Sequence, residues 1–137
     1  MAENPKDSVG KAKAPIHHVP LNVMTLVGLA MMEGARKYGS HNYREASVEA
    51  GVYIDALWRH ISDWWEGRSV DPDSRLSHLV KAIATLVVLA DAEMQGNMID
   101  DRPPPSREGW QDEANKMAAA IVAKYPISKP PHIKANI

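Results

Sequence analysis

Two residues of this chain, His60 and Asp63, have the types and spacing to begin metal chemistry. They stand three apart, so a helix makes them neighbours. An imidazole and a carboxylate together can ligate a divalent cation, and the same pair on a polar flank does nothing. A second set lies further along. At 100° per residue, Ser74, His78, Lys81 and Thr85 fall within about 60° of one another, opposite the face of Leu76, Ile83 and Val87. That stripe either faces water or lines a site. Asp71 and Asp73 place two carboxylates at a helix start, where capping is routine and a cation needs further ligands. Lys37 falls about 50° from the centre of its helix's apolar face. It must snorkel, pair with Glu33 four residues earlier, or meet an anion. The loop Ser40, His41, Asn42, Tyr43, Arg44 carries amide, aromatic and guanidinium groups. These can stack on and hydrogen-bond a base, and they are also ordinary loop composition.

Helices must position these groups. Pro20 and Asn22 start a helix over about 22–38, with Val23, Leu26, Val27, Ala30, Met31 and Gly34 on one face and Gly39 as its stop. Ser47 can cap a second, over about 48–66, whose apolar face is Ile54, Leu57, Trp58, Ile61, Trp64 and Trp65, and Gly67 ends it. Asp71 as N-cap and Pro72 at the first helical position predict a third helix over 72–95. Its main face is Leu76, Leu79, Val80, Ile83, Leu86, Val87 and Ala90. Its second half is apolar nearly all round, which suits the centre of a bundle or an oligomer interface. A monomer of three or four helices leaves Val88 and Leu89 exposed. Ser106, after a run of three prolines, can cap a fourth helix over 107–124. Residues 1–15 read as a disordered segment, 16–125 as one helical domain and 126–137 as an extended tail. The chain reads as all-α, a small bundle of about four helices that is oligomeric.

The 137 residues suit about one domain. Cysteine is absent, which excludes disulfides, thiolate metal sites and thiol nucleophiles. Sixteen Lys and Arg against 17 Asp and Glu give a net charge of −1, no field for polymeric nucleic acid. There is no secretory leader and no apolar run of membrane-spanning length, so a cytoplasmic location is expected. Phosphate-loop, GxGxxG, HExxH and GxSxG signatures are all missing, as is an adjacent His-Asp pair.

Three groups of residues, in order, carry a family resemblance: Lys37-Tyr38-Gly39 with Asn42-Tyr43-Arg44; Tyr53, Ala56 and Arg59-His60; Gly67, Asp71, Asp73-Ser74 and His78-Leu79. Over about residues 15–95 the chain resembles the phage-encoded dATP/dGTP diphosphohydrolases, distant relatives of the MazG-like all-α nucleoside triphosphate pyrophosphatases. The resemblance implies a metal-dependent enzyme, oligomeric with helices shared across the interface. It would cleave a purine (deoxy)nucleoside triphosphate (dGTP, GTP or dATP) to the monophosphate and pyrophosphate, within purine and 2-aminoadenine nucleotide metabolism. A homodimer or homotetramer is expected. The glutamate-rich pattern of the wider MazG group is not followed: the first helix has Glu33 alone, and Arg68 stands where an acid is common.

Together these readings give a candidate site. Glu33, His60, Asp63, Asp71 and His78 would bind Mg²⁺ or Mn²⁺, with imidazole tilting the choice toward Mn²⁺. His60 or Asp63 would orient the attacking water. Lys37, Arg59 and Lys81 would hold phosphates, and Ile16, His17, His18, Tyr38 and Asn42 would contact the nucleoside. Two other classes stay open: a non-catalytic helical dimer that binds a partner, and a metal-dependent phosphohydrolase releasing orthophosphate.

Overall fold

Glycine stops set the helix ends. In the computed structural model, which describes residues 1–136, α2 (Leu21–Tyr38) closes at Gly39, whose φ of 94° is open to glycine alone at little cost. The next helix, α3 (Ala50–Trp65), is followed by Gly67 at φ 90°, and α4 (His78–Gln95) by Gly96 at φ 80°. Before these, a six-residue helix α1 (Pro5–Gly10) stands in the segment expected to carry no structure. Asn4 accepts from the Lys6 amide and Pro5 takes the first helical position, which suffices for one exposed turn and a half.

The starts of α3 and α4 differ from expectation. Ser47 does not cap α3. Instead Val48–Glu49 forms a short strand, β1, paired in parallel with β2 (Met98–Ile99) in the register Val48 to Met98. The helix α4 begins at His78, not at residue 72. Asp71 and Pro72 belong to a tight loop in which the Asp71 amide donates to the Leu76 carbonyl at 2.8 Å and the Arg75 amide to the Asp71 carbonyl at 2.8 Å. Arg75 turns through φ 65°, and Val70 bridges Ser77 in antiparallel fashion. The Asp71 carboxylate accepts from the Asp73 amide at 2.9 Å, so it organises a turn and leaves capping to Ser77. Ser74 therefore lies outside the helix that holds His78, Lys81 and Thr85.

Helix α4 packs against both α2 and α3. Close approach to α2 is through alanines: Ala30, Val80 and Ala84 form the core, with Val27, Met31 and Leu76 against it. The face expected to be buried on α4 is split: Val80 enters the core and Leu76 packs against it, but the rest turns away. Leu79, Ile83, Leu86 and Val87 point outward, from 39% exposed at Ile83 to 45% at Leu86, while Val88 and Leu89 are half-buried. The inward side holds His78 and Lys81, because their partners lie on α2, on α3 and in the 71–77 loop.

The chain divides into two units, Met1–Asp100 and Asp101–Ile137. The helix expected over 107–124 belongs to the second. There it is α5 (Trp110–Lys124), entered through Gly109 at φ 82° and not capped by Ser106. Arg107 grips Glu113 through two hydrogen bonds of 2.8 and 2.6 Å. Past α5 the tail is non-helical to Ile133, with a single 3₁₀ turn at Lys134–Asn136. The last tail residue, 137, lies outside the described residues.

Candidate active site

The site is built where α3, the 71–77 loop and the first turn of α4 converge. His60 sits on the side of α3 that faces α4. His78 opens α4 and is only 4% exposed. Its amide donates to the Ser69 carbonyl at 3.0 Å, tying the loop to the helix start. The Nδ1 atoms of the two rings are 2.9 Å apart. With the Asp71 carboxylate they form a group whose ligand atoms all lie within 4.8 Å of one another. Two imidazole nitrogens and one carboxylate oxygen suit Mn²⁺ and later divalent metals better than Mg²⁺, which favours oxygen ligands.

Electrostatics favour this use. Burial lowers the His60 pKa, and His78 and Lys81 lower it further, so the ring is neutral and able to ligate at neutral pH. Burial works against the Asp71 charge. The Asp73 amide, Lys81 and the two imidazoles together outweigh it and hold the carboxyl below its usual range.

Asp63 stands just outside the donor group. Its Oδ2 is 3.8 Å from His78 Nε2, and Arg68 grips its Oδ1 at 2.7 Å. That Arg68 contact, above all, keeps Asp63 ionised to low pH. Glu33 also stays out of the group. It accepts from Lys81 Nζ and lies 3.5 Å from Lys37 Nζ. Lys81, one turn along α4 from His78, also reaches to 3.9 Å from Asp71. The two lysines thus converge on Glu33, whose pKa is lowered chiefly by the Lys81 hydrogen bond.

Beside this cluster opens a cavity of about 520 Å³, lined by Glu33, Lys37, Tyr38, His41, Asn42, Tyr43, Tyr53, His60 and Lys81. That is a normal volume for a small-molecule site. Of the expected nucleoside contacts, Tyr38 and Asn42 line the cavity, whereas Ile16 and His17 are exposed and do not. Arg59 is placed elsewhere, on a shallow depression with Asp55, Trp58, Ser62 and Asp63. His41 and Tyr43, from the loop whose groups could meet a base, line the cavity as well, and Tyr53 joins them with no role expected. For Tyr53 a signal existed: it stands seven residues before His60, two turns along the same face.

Architecture and site together describe an all-α chain with a candidate metal group at the edge of a lysine-lined cavity. The sequence profile described as dATP/dGTP diphosphohydrolase, N-terminal, matches residues 3–102, a span close to that of the first structural unit. The chain belongs to this family. Comparison with curated proteins and with solved structures finds no match to it.

Proposed function

We propose that the chain is a metal-dependent pyrophosphohydrolase that converts a purine deoxynucleoside triphosphate, foremost dGTP with GTP and dATP as alternatives, to the monophosphate and pyrophosphate. The observation that carries this reading is the His60, Asp71 and His78 donor group beside a cavity that two lysines enter. The setting proposed is purine and 2-aminoadenine nucleotide metabolism in the cytoplasm of a phage-infected cell. Among the described residues no helix is long and apolar enough to cross a membrane.

In the reaction, water adds to the α-phosphorus, the bond from that phosphorus to the bridging oxygen breaks, and pyrophosphate leaves. His60, Asp71 and His78 would hold a divalent cation, Mn²⁺ in preference to Mg²⁺, which supplies Lewis-acid charge to the phosphoryl oxygens. Lys81 and Lys37 exchange their contacts with Glu33 for phosphate oxygens and balance the charge that builds on the leaving group. Asp63, kept ionised by Arg68 and facing His78 Nε2, or His60 itself, would orient the attacking water and take its proton. Tyr38, Asn42 and Tyr53 form the nucleoside side of the cavity.

Self-association is part of the proposal. The buried apolar residues are Ala30, Val48, Ala50, Val80, Ala82, Ala84 and Ala92, five alanines and two valines. Every leucine, isoleucine and tryptophan described is at least partly exposed. A homodimer or homotetramer would cover them. The test incubates pure protein with each purine triphosphate and Mn²⁺ and measures released phosphate species. Pyrophosphate is expected; orthophosphate alone, or no release, overturns the reading.

A further inference from the structure

Asp91 and Asn97 line no part of the cavity, yet between them they hold the wall of it that the nucleoside would meet. We infer that both are positioning residues for nucleotide binding, acting through the loop between α2 and β1. This rests on the proposed function for its choice of ligand.

The loop's first five residues, Gly39 to Tyr43, all face the cavity. Its internal bonds define a tight turn: the Arg44 amide donates to the His41 carbonyl at 2.9 Å and the Ala46 amide to the Asn42 carbonyl at 2.8 Å. His41 is held at φ 60°, a conformation that costs free energy outside glycine. Such a turn is closed upon itself, and nothing in it fixes where it sits against the helices.

That placement comes from the far end of α4. Arg44 meets Asp91 in a bidentate pair, Nε to Oδ2 at 2.7 Å and Nη2 to Oδ1 at 2.9 Å. Such a fork fixes direction as well as distance. Asn97 holds the other side. Its Nδ2 donates to the Tyr43 carbonyl and, at 3.0 Å, to the Ala46 carbonyl. Its own carbonyl accepts from the Val48 amide at 3.2 Å, at the start of β1. Asn97 in turn is set by the left-handed turn at Gly96, its amide returning to the Ala92 carbonyl at 3.1 Å. Among the described residues the Oδ1 of Asn97 is buried with no hydrogen-bond partner, so the side chain contributes here as a donor. Aspartate at this place would set carboxylate oxygens against two carbonyl oxygens.

The test compares Asn97→Asp, Asp91→Asn and the conservative Asp91→Glu with the wild-type chain. Two quantities are read: amide hydrogen exchange across residues 40–46, and kcat and KM for dGTP with Mn²⁺. For Asn97→Asp and Asp91→Asn, exchange in 40–46 should quicken while α3 and α4 keep their protection. KM should rise roughly tenfold with kcat little changed. Asp91→Glu should restore most of the difference. Faster exchange with an unchanged KM overturns the inference, as does an equal loss of protection throughout α3 and α4, which marks a structural role. A wild-type protein that neither binds nor cleaves any purine triphosphate is a different failure, seen before any variant is made. It removes the function reading and this inference with it.

Discussion

His60 and His78 meet through their Nδ1 atoms, 2.9 Å apart. At that distance one ring presents N–H and the other a lone pair, so the two cannot both be cationic and keep the contact. A cation taking both nitrogens would leave each ring its proton on Nε2. For His78 that nitrogen faces the Asp63 carboxylate. The donor group therefore comes with an outer partner already in place, and Asp63 is fixed from behind by Arg68.

This geometry makes the two histidines interdependent. His60→Ala and His78→Ala should each lower Mn²⁺ affinity and turnover by at least about tenfold, since removing even an outer partner of a metal site costs that much. Far-UV circular dichroism should be unchanged. Titration calorimetry with Mn²⁺ alone checks the first effect and pyrophosphate release the second. Undiminished Mn²⁺ binding by His78→Ala would place the metal elsewhere.

Lys37 separates binding from stability. Its side chain is 48% exposed and its pairing with Glu33 is an ordinary surface one, worth about 0.3–0.5 kcal/mol. Lys37→Ala should leave the melting temperature nearly unchanged while raising KM for the triphosphate severalfold. A marked fall in Tm with normal kinetics would assign Lys37 to the fold alone.

Glu33 supplies a pH signature. Its carboxyl titrates below the ordinary range, first because Lys81 donates to it. A carboxylate with a lowered folded pKa contributes stability above its unfolded value of 4.5, and that contribution is lost as pH falls through the folded value. Glu33→Gln should thus destabilise the chain by about 2 kcal/mol near neutrality, the scale of a hydrogen bond to a charged group. The gap in Tm between wild type and variant should close as pH falls below 4.5. A gap that stays constant with pH would mean the Lys81 contact carries no charge-dependent stability.

What could be read beforehand divides along sequence distance. Gly39 and Gly67 end their helices as expected, and the helix expected to reach residue 95 does so and stops at Gly96, because a glycine stop at positive φ is a local matter. The start of α4 was not legible. Asp71-Pro72 and Ser77 both satisfy the local capping rule, and the choice is made by the hairpin from Val70 to Ser77. The residue types of the donor group were also readable, as was the Glu33 and Lys37 pairing at four residues. The Glu33 contact with Lys81 spans 48 positions and was not. A stripe of His78, Lys81 and Thr85 reads as facing water or lining a site, and only the partners on α2 and α3 decide between the two, with Leu79, Ile83, Leu86 and Val87 then left outward.

That outward face yields the last prediction. Leu79, Ile83, Leu86 and Val87 stand in one row on α4, each about two-fifths exposed. Fully burying an exposed side chain of this kind is worth roughly 1.5–3 kcal/mol, so covering the two-fifths still exposed on these four in each of two copies gains roughly 5–10 kcal/mol, of the same order as the cost of association. Within the unit Met1–Asp100 the buried apolar side chains are alanines and two valines, so its leucines and isoleucines have apolar area left to cover. The wild-type chain should sediment as a dimer or tetramer of its 15.1 kDa subunit at micromolar concentration. Ile83→Asp and Leu86→Asp each put a charge into the row and should shift the population toward monomer, with loss of helical melting cooperativity. Sedimentation of the wild-type chain as a monomer would sink the idea. An Ile83→Asp chain that assembles as before would instead move the interface off α4, to the exposed tryptophans Trp58 and Trp65 of α3.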